Sequence, residues 1–401
     1  MTNSPVSRSK IGNSTISTPL GPSRRSNVEP FLAMDVMSSA ARLEAAGRTI
    51  VHMEVGQPGS PAPQPVLQIA RAVLQDGRLG YTEAAGIRPL RQRIARHYAE
   101  NYGLDIPVER IMVTTGSSGG FNLAFLGAFD PGARIALASP GYPAYRNILG
   151  AFGLEAVDIE IGPQSGWILT ADQIADAHAA KPLNGVLIAS PANPTGTMAS
   201  ADQLEEICKV CHSLRIRLIS DEIYHGLTYR EPADTALHFS GEAIVVNSFS
   251  KYYCMTGWRV GWMVLPDNLV RPMERLAQSL FISVPELSQR AAVGAFDAGS
   301  ELEAVKAGYA RNREYLLEQM PRLGFDEILP VDGAFYIYAS VMPFTGDAVE
   351  FADRMLEEAG VAATPGQDFD RIRGKHYMRF SFAGTTEAMH EGIARLERWL
   401  R

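Results

Sequence analysis

Cysteine, net positive charge and long apolar runs are all scarce in this sequence. Three cysteines, Cys208, Cys211 and Cys254, in 401 residues argue against a disulfide framework and predict a reducing, cytoplasmic setting. Cys208 and Cys211 form a CxxC, but only His212 lies next to it, without the second pair or the spaced histidines that a structural zinc site needs. The segment therefore reads as a helix with buried cysteines, and no metal is expected. Lys and Arg number 37 against 44 Asp and Glu, a net charge of −7. That gives no overall electrostatic reason to bind nucleic acid, so an anionic ligand would have to be held by local groups. No stretch of about 18 apolar residues is present, so no transmembrane helix and no membrane partner are expected. No apolar segment follows the start, which predicts no secretory leader. The first 27 residues contain no acid, Glu29 being the first. Their Ser, Arg and Pro content fits a transit peptide and also a plain disordered tail, the commoner case.

What the sequence does contain is ordinary globular material: 46% hydrophobic and 20% charged residues, enough for a large core without staples. Helical periodicity runs from Phe31 to Ala46 and stops at Gly47. From Arg110 the rhythm changes. Short β-rich runs appear at Ile111–Thr115, Arg134–Ala138, Val186–Ser190, Ile216–Asp221, Ala243–Asn247 and Val260–Leu265. Amphipathic helical stretches such as Gly119–Ala128 and Ala201–Arg215 separate several of them. This alternation predicts an α/β fold, a mainly parallel sheet with helices on both faces. After Glu286 the chain reads as helical to about Met320. Strands at Ala334–Ala339 and Tyr377–Phe382 follow, then a helix from Thr385 to Leu400, together a smaller α+β domain. The expected organisation is a tail at 1–27, a small domain built from 28–55 and 291–401, and a large domain at 56–290.

In an open α/β sheet, ligands bind beyond the C-terminal strand ends. Gly116, Ser117, Ser118, Gly119 and Gly120 follow the first run and open a helix, a combination that suits a phosphate or simply a tight turn. Asn193 follows the third run between Pro191 and Pro194, which fix its backbone. Asp221 and Tyr224 end the fourth, where an Asp is often no more than a helix cap. Ser248, Phe249, Ser250 and Lys251 end the fifth, with Thr256 to Arg259 beyond. Lys251, behind a buried-type strand among apolar and aromatic residues, is a candidate amine nucleophile. Each signal alone is weak, but one ligand would explain all of them. It needs a phosphate clamp (Ser117, Ser118, Ser248, Arg259), a stacking face (Tyr142), a carboxylate for a ring cation (Asp221), donors for a phenolic oxygen (Asn193, Tyr224) and an amine (Lys251). Pyridoxal 5′-phosphate has the matching groups, and a lysine with an aspartate partner for the ring nitrogen is its signature.

These residues make the chain resemble a pyridoxal-phosphate-dependent aminotransferase of class I/II, with the type I fold. The resemblance runs from about Arg24 to the C-terminus. It rests on Val55-Gly56-Gln57-Pro58, Tyr81 with Gly86 and Leu90-Arg91, Ser190 to Gly196, Asp221 to Tyr224, Ser248 to Lys251 with Gly257 to Arg259, Gly333 to Tyr336, and Arg379. Two positions depart from the pattern: Tyr142 stands where many relatives have Phe or Trp, and Ser117-Ser118-Gly119 where many carry Lys or Gln.

The resemblance implies pyridoxal phosphate as cofactor and transfer of an amino group from an α-amino acid to a 2-oxo acid by alternating half-reactions. It implies that Gly56 lies against the substrate, that Arg379 grips its α-carboxylate with Asn193, and that Tyr81 reaches the phosphate of the other subunit of a homodimer. Lys251 is expected to carry the proton, with Asp221 and Tyr224 acting on the ring. The missing cation after the first large-domain strand points to a neutral, apolar or aromatic side chain on the donor, with 2-oxoglutarate or pyruvate as acceptor. A C–S β-lyase or a cyclopropane-forming synthase would use the same scaffold and the same Lys251 and Asp221. A ligand-sensing regulator would need an N-terminal DNA-binding module, and the residues before the matched region show no such pattern.

Overall fold

The computed structural model describes residues 21–401. Of the expected tail, residues 1–20 lie outside the described residues, and Arg24–Ser26 form one 3-10 turn. The first strand, β1 (Val51–His52), follows the helix Leu32–Ala45.

The largest sheet has seven strands: β2 (Ile111–Thr114), β3 (Arg134–Ser139), β4 (Glu155–Glu160), β5 (Gly185–Ala189), β6 (Arg217–Asp221), β7 (Ile244–Ser248) and β8 (Gly261–Val264). Their spatial order is β2-β8-β7-β6-β5-β3-β4. Among these, β8 alone runs antiparallel to its neighbours, and the remaining pairings are parallel. Helices from Gly116–Ala128, Pro143–Phe152, Ala171–Ala180 and Ala201–Ser213 connect strands in the crossover manner that a parallel sheet requires. β7 and β8 are buried at every position, consistent with a sheet covered on both faces. Each Val or Ile so buried contributes on the order of 1.5–3 kcal/mol.

Strand β4 escaped the sequence reading. Its pattern, Glu-Ala-Val-Asp-Ile-Glu, never becomes fully buried, because it is a sheet edge. An edge strand faces solvent and carries charge, so it lacks the apolar density of a central strand. Long helices at Gln64–Asp76, Arg88–Tyr102 and Asp267–Phe281 also add to the elements expected.

The C-terminal part holds a three-stranded antiparallel sheet in the order β11 (Thr364–Pro365), β12 (Tyr377–Ser381), β9 (Tyr336–Ser340). β1 pairs in parallel with β10 (Val361–Ala362), Val51 facing Val361. Val36, Ala40 and Ile50 pack against Leu356 and Ala362, so the N-terminal helix and β1 join the C-terminal elements. The helix Gly299–Arg322 spans two cores: Leu302 packs with the large-sheet core, Tyr309, Leu316 and Met320 with the second. On the helix Ala201–Ser213, Leu204, Ile207, Cys208 and Cys211 are buried together, as the periodicity predicts.

Candidate active site

β3 and β5 are neighbours, while the chain from β3 first visits β4 on the outer side. The strand order therefore reverses between β3 and β5, where an open α/β sheet forms its crevice. A cavity of about 270 Å³ opens there, beyond the strand ends. Its lining includes Gly56, Ser117, Ser118, Tyr142, Asn193, Asp221, Tyr224, Lys251, Arg259 and Arg379. Residues spread over more than 320 positions of sequence are thus brought to one space.

Lys251 follows β7 through a turn fixed by its own hydroxyls. Ser248 Oγ accepts from Ser250 N at 3.1 Å and donates to Val260 O at 3.1 Å. Phe249 between them is buried against Trp262, with ring centroids 4.9 Å apart. The turn delivers Lys251 into the cavity, where Nζ donates to Gly56 O. Burial pushes the Lys251 amine down from 10.5 to about 8, and the cations of Arg379 and Arg259 push the same way. A basic amine that is partly neutral near physiological pH can act as a nucleophile and proton carrier.

Asp221 ends β6 and is buried. One carboxylate oxygen accepts from Ile223 N at 3.0 Å, the other from the Tyr145 hydroxyl. Burial raises its carboxyl from 3.8 to about 6, and the two donors oppose that rise. Tyr145, which sequence reasoning missed, is three residues beyond Tyr142 at the start of the helix Pro143–Phe152. Its only sequence signal was that spacing, which puts two aromatic rings on one side of a helix turn.

Next to Ser117 and Ser118 of the cavity wall, Gly116 opens the helix Gly116–Ala128, whose N-cap Thr115 makes no side-chain cap bond. The first amides of that helix, with Ser117 and Ser118, are therefore available to an anion. Gly116 has φ +70, and a Cβ there would lie 2.5 Å from Arg259 Nη2. Only glycine lets the guanidinium approach so closely. Arg259 itself has φ +51, a left-handed conformation rarely held by a non-glycine residue and common at functional sites. Its Nη1 donates to Thr256 O at 2.9 Å. Ser250 and Thr256 line the cavity, whereas the hydroxyl of the expected clamp member Ser248 donates to Ser250 Oγ and Val260 O. The chain turns after Ser248, and Ser250, two positions later, lines the cavity. Tyr81 is 83% exposed and does not line the cavity of its own chain.

Arg379 sits on β12, paired with Thr364 and Tyr338. Nη1 donates to Asn193 Oδ1 at 2.9 Å, and Nη2 donates to Glu54 O at 2.6 Å and Thr364 Oγ1 at 3.3 Å. Its guanidinium lies over the rings of Tyr336 (4.4 Å) and Phe369 (4.8 Å). These bonds and the two rings hold the guanidinium rigid at the cavity wall, where a planar fork suits a carboxylate, while Nε is buried without a partner. Tyr224 and Tyr336 hydroxyls meet at 2.7 Å. A Cβ on Gly56 would fall 2.1 Å from the Tyr336 hydroxyl. Phe31, Ala33, Met34, Asp368 and Phe369 complete the cavity wall. Asp368 holds the N-terminal helix there, accepting from Leu32 N at 2.9 Å and Ala33 N at 3.4 Å, and Phe31 stacks with Tyr142 at 6.2 Å.

This donor set fits pyridoxal phosphate: an open helix N-terminus with Arg259 for the phosphate, a stacking ring, a buried carboxylate, and a depressed amine. The comparisons agree. A family profile for aminotransferase class I and II matches residues 48–396. A valine–pyruvate aminotransferase of Mycobacterium tuberculosis is 47% identical over 94% of this chain and 97% of its own. A (5-formylfuran-3-yl)methyl phosphate transaminase of Methanocaldococcus jannaschii is 33% identical over 93% and 98%. The crystal structure of an aminotransferase from Mycobacterium tuberculosis superposes with a TM-score of 0.93 at 46% identity, covering 95% of this chain and 99% of that one. The chain belongs to the class I and II aminotransferases, the pyridoxal-phosphate-dependent transaminases of amino acids.

Proposed function

We propose that the enzyme moves the amino group of an α-amino acid with a neutral, apolar or aromatic side chain to a small 2-oxo acid, by a ping-pong exchange in one cavity. The observation that carries this reading is the set of cations. Among the described residues, Lys251, Arg259 and Arg379 are the cations that line the cavity, and each already has a task. A second carboxylate on the substrate would enter without a partner, at a cost of several kcal/mol. Phe31, Ala33, Met34 and Phe369 offer an apolar wall instead, and Asp368 adds a carboxylate rather than a cation. Donor and acceptor share this cavity in turn, so the same argument favours pyruvate over 2-oxoglutarate. The name of the Mycobacterium tuberculosis relative, valine–pyruvate aminotransferase, points the same way.

The residue roles follow from chemistry. Pyridoxal phosphate supplies an electron sink and a carrier for the amino group. Arg379, braced by Glu54 O and Thr364, offers its fork to the substrate α-carboxylate, and the Nδ2 donor of Asn193 remains free for an acceptor on either ligand. Lys251 Nζ takes the proton from the substrate α-carbon and gives it back as the acid. Asp221 keeps the ring nitrogen protonated. Tyr224, whose hydroxyl pairs with Tyr336, supports a phenolic oxygen, and Tyr142 supplies the ring for stacking. Ser117, Ser118, Ser250 and Arg259 hold the phosphate, with Ser248 bracing Ser250.

We further propose a cytoplasmic homodimer in which Tyr81 completes the other subunit's phosphate site. Support comes from exposed apolar side chains at Leu79, Tyr81, Leu280 and Ile282. They lie on one surface, since Gly80 N donates to Glu286 Oε2 at 2.8 Å and Thr82 N to Ser283 Oγ at 3.3 Å. The division into a large unit at 56–290 and a small one from 28–55 and 291–401 belongs to the same proposal.

The test is kcat/KM for aspartate against alanine, valine, leucine, methionine and phenylalanine, with pyruvate and with 2-oxoglutarate. A neutral donor with pyruvate is expected to lead. A preference for aspartate over every neutral donor by more than about tenfold, roughly 1.4 kcal/mol, would overturn the reading.

A further inference from the structure

We infer that Tyr145 is the positioning residue that keeps Asp221 a carboxylate, and so keeps the cofactor's proton on the ring nitrogen rather than on Asp221. This rests on the role proposed for Asp221. The geometry is specific. Tyr145 is buried, and its hydroxyl donates to the second oxygen of Asp221 while Ile223 N serves the first. Its ring is wedged edge-on between Tyr142 (5.3 Å) and Phe121 (5.1 Å), so the hydroxyl has little freedom to look elsewhere. Burial holds the phenol well above its usual range, so Tyr145 is a donor under all working conditions.

One proton is shared by two buried groups, the ring nitrogen and Asp221. With the proton on the ring nitrogen, Asp221 is an anion inside protein. With the proton on Asp221, both groups are neutral. A low-dielectric site favours the neutral pair unless fixed donors stabilise the anion. Tyr145 and Ile223 N are those donors, one per oxygen. The backbone donor cannot be varied by substitution, which leaves Tyr145 as the adjustable one. A charge-assisted bond of this kind shifts an equilibrium by about ten- to a hundredfold. Its edge-on packing against Tyr142 also ties the carboxylate to the proposed stacking ring.

The experiment uses the holoenzyme loaded with pyridoxal phosphate labelled with 15N in the ring. Tyr145→Phe retains the packed ring and removes only the hydroxyl. The 15N shift is followed across pH in wild type, Tyr145→Phe and Asp221→Asn. Borohydride reduction fixes the cofactor to the protein without touching the ring nitrogen, so the shift can be read even where affinity falls. In Tyr145→Phe the shift is expected to move toward the unprotonated value, with the single-turnover rate about ten- to a hundredfold lower. A shift and pH profile equal to wild type in Tyr145→Phe, beside a clear change in Asp221→Asn, would overturn the role of Tyr145 alone. An unchanged shift in Asp221→Asn would overturn the role of Asp221 and this inference with it. A merely structural tyrosine would lower Tm and leave the nitrogen signal where it was.

Discussion

Lys251 and Asp221 are opposite cases of one effect. Burial disfavours charge, so it lowers the amine to about 8 and raises the carboxyl to about 6. For Lys251 the neutral amine is the reactive form. Capture of pyridoxal phosphate by the apoenzyme should therefore quicken as pH rises and level off above about 8. Stopped-flow rates between pH 6 and 11 check this, and an inflection near 10.5 would contradict the burial argument. Asp221→Asn removes the charge proposed to hold the ring proton. Half-reaction rates should fall by orders of magnitude while cofactor affinity changes less. Near-normal rates in single-turnover assays would remove Asp221 from its proposed role.

At the scale of elements, the segment Val51–Gly56 does several jobs at once. Its backbone carbonyls receive Arg379 at Glu54 and Lys251 at Gly56, so its position sets both groups. Gly56→Ala would drive a methyl into the Tyr336 hydroxyl. Overpacking of this kind costs about 1–3 kcal/mol, and activity should drop with the fold intact. Tyr336→Phe in the same chain should restore part of the loss, and kinetics of the single and double variants would show it. The same segment is tied to the N-terminal helix by His52, which bonds Glu54 at 2.8 Å and Glu44 at 3.1 Å. The Glu54 bond leads in raising the imidazole from 6.5 to about 9. A raised folded-state value means the contribution to stability is complete below pH 6.5 and fades as pH climbs through 9. The Tm gap between wild type and His52→Gln should accordingly shrink across that window. A gap that is constant from pH 6 to 10 would show that the ion pairs do not hold the helix.

For the whole molecule, the proposed dimer makes a prediction that a self-contained subunit does not. Lys251→Ala and Tyr81→Ala are each expected to be weakly active. In a mixed dimer, one site would combine wild-type Lys251 from one chain with wild-type Tyr81 from the other. Unfolding and refolding the two variants together should therefore recover a sizeable part of wild-type activity. Activity no higher than the average of the parents would show that Tyr81 serves its own chain, or none.

Much of the candidate site was legible because its residues stand at strand ends, and strand ends are marked locally. A short buried-type run followed by Gly-Ser-Ser, Asn-Pro, Asp or Ser-x-Ser-Lys can be read without knowing where the strands pack. The sheet was legible for the same reason in its central strands, whereas β4, exposed along an edge, left no apolar run to find. Residue type and chain order alone thus pointed to the α/β class, the cofactor and the roles expected of Lys251 and Asp221, whereas the role expected of Arg379 came with the family resemblance. Contacts across the chain are another matter. Tyr145 meets Asp221 from 76 residues away, and Arg379 meets Asn193 from 186. Ser250 rather than Ser248 faces the cavity because of how one turn closes on Val260. Such pairings depend on strand order, helix rotation and the direction of each side chain, which packing sets over the whole molecule and a local pattern does not encode.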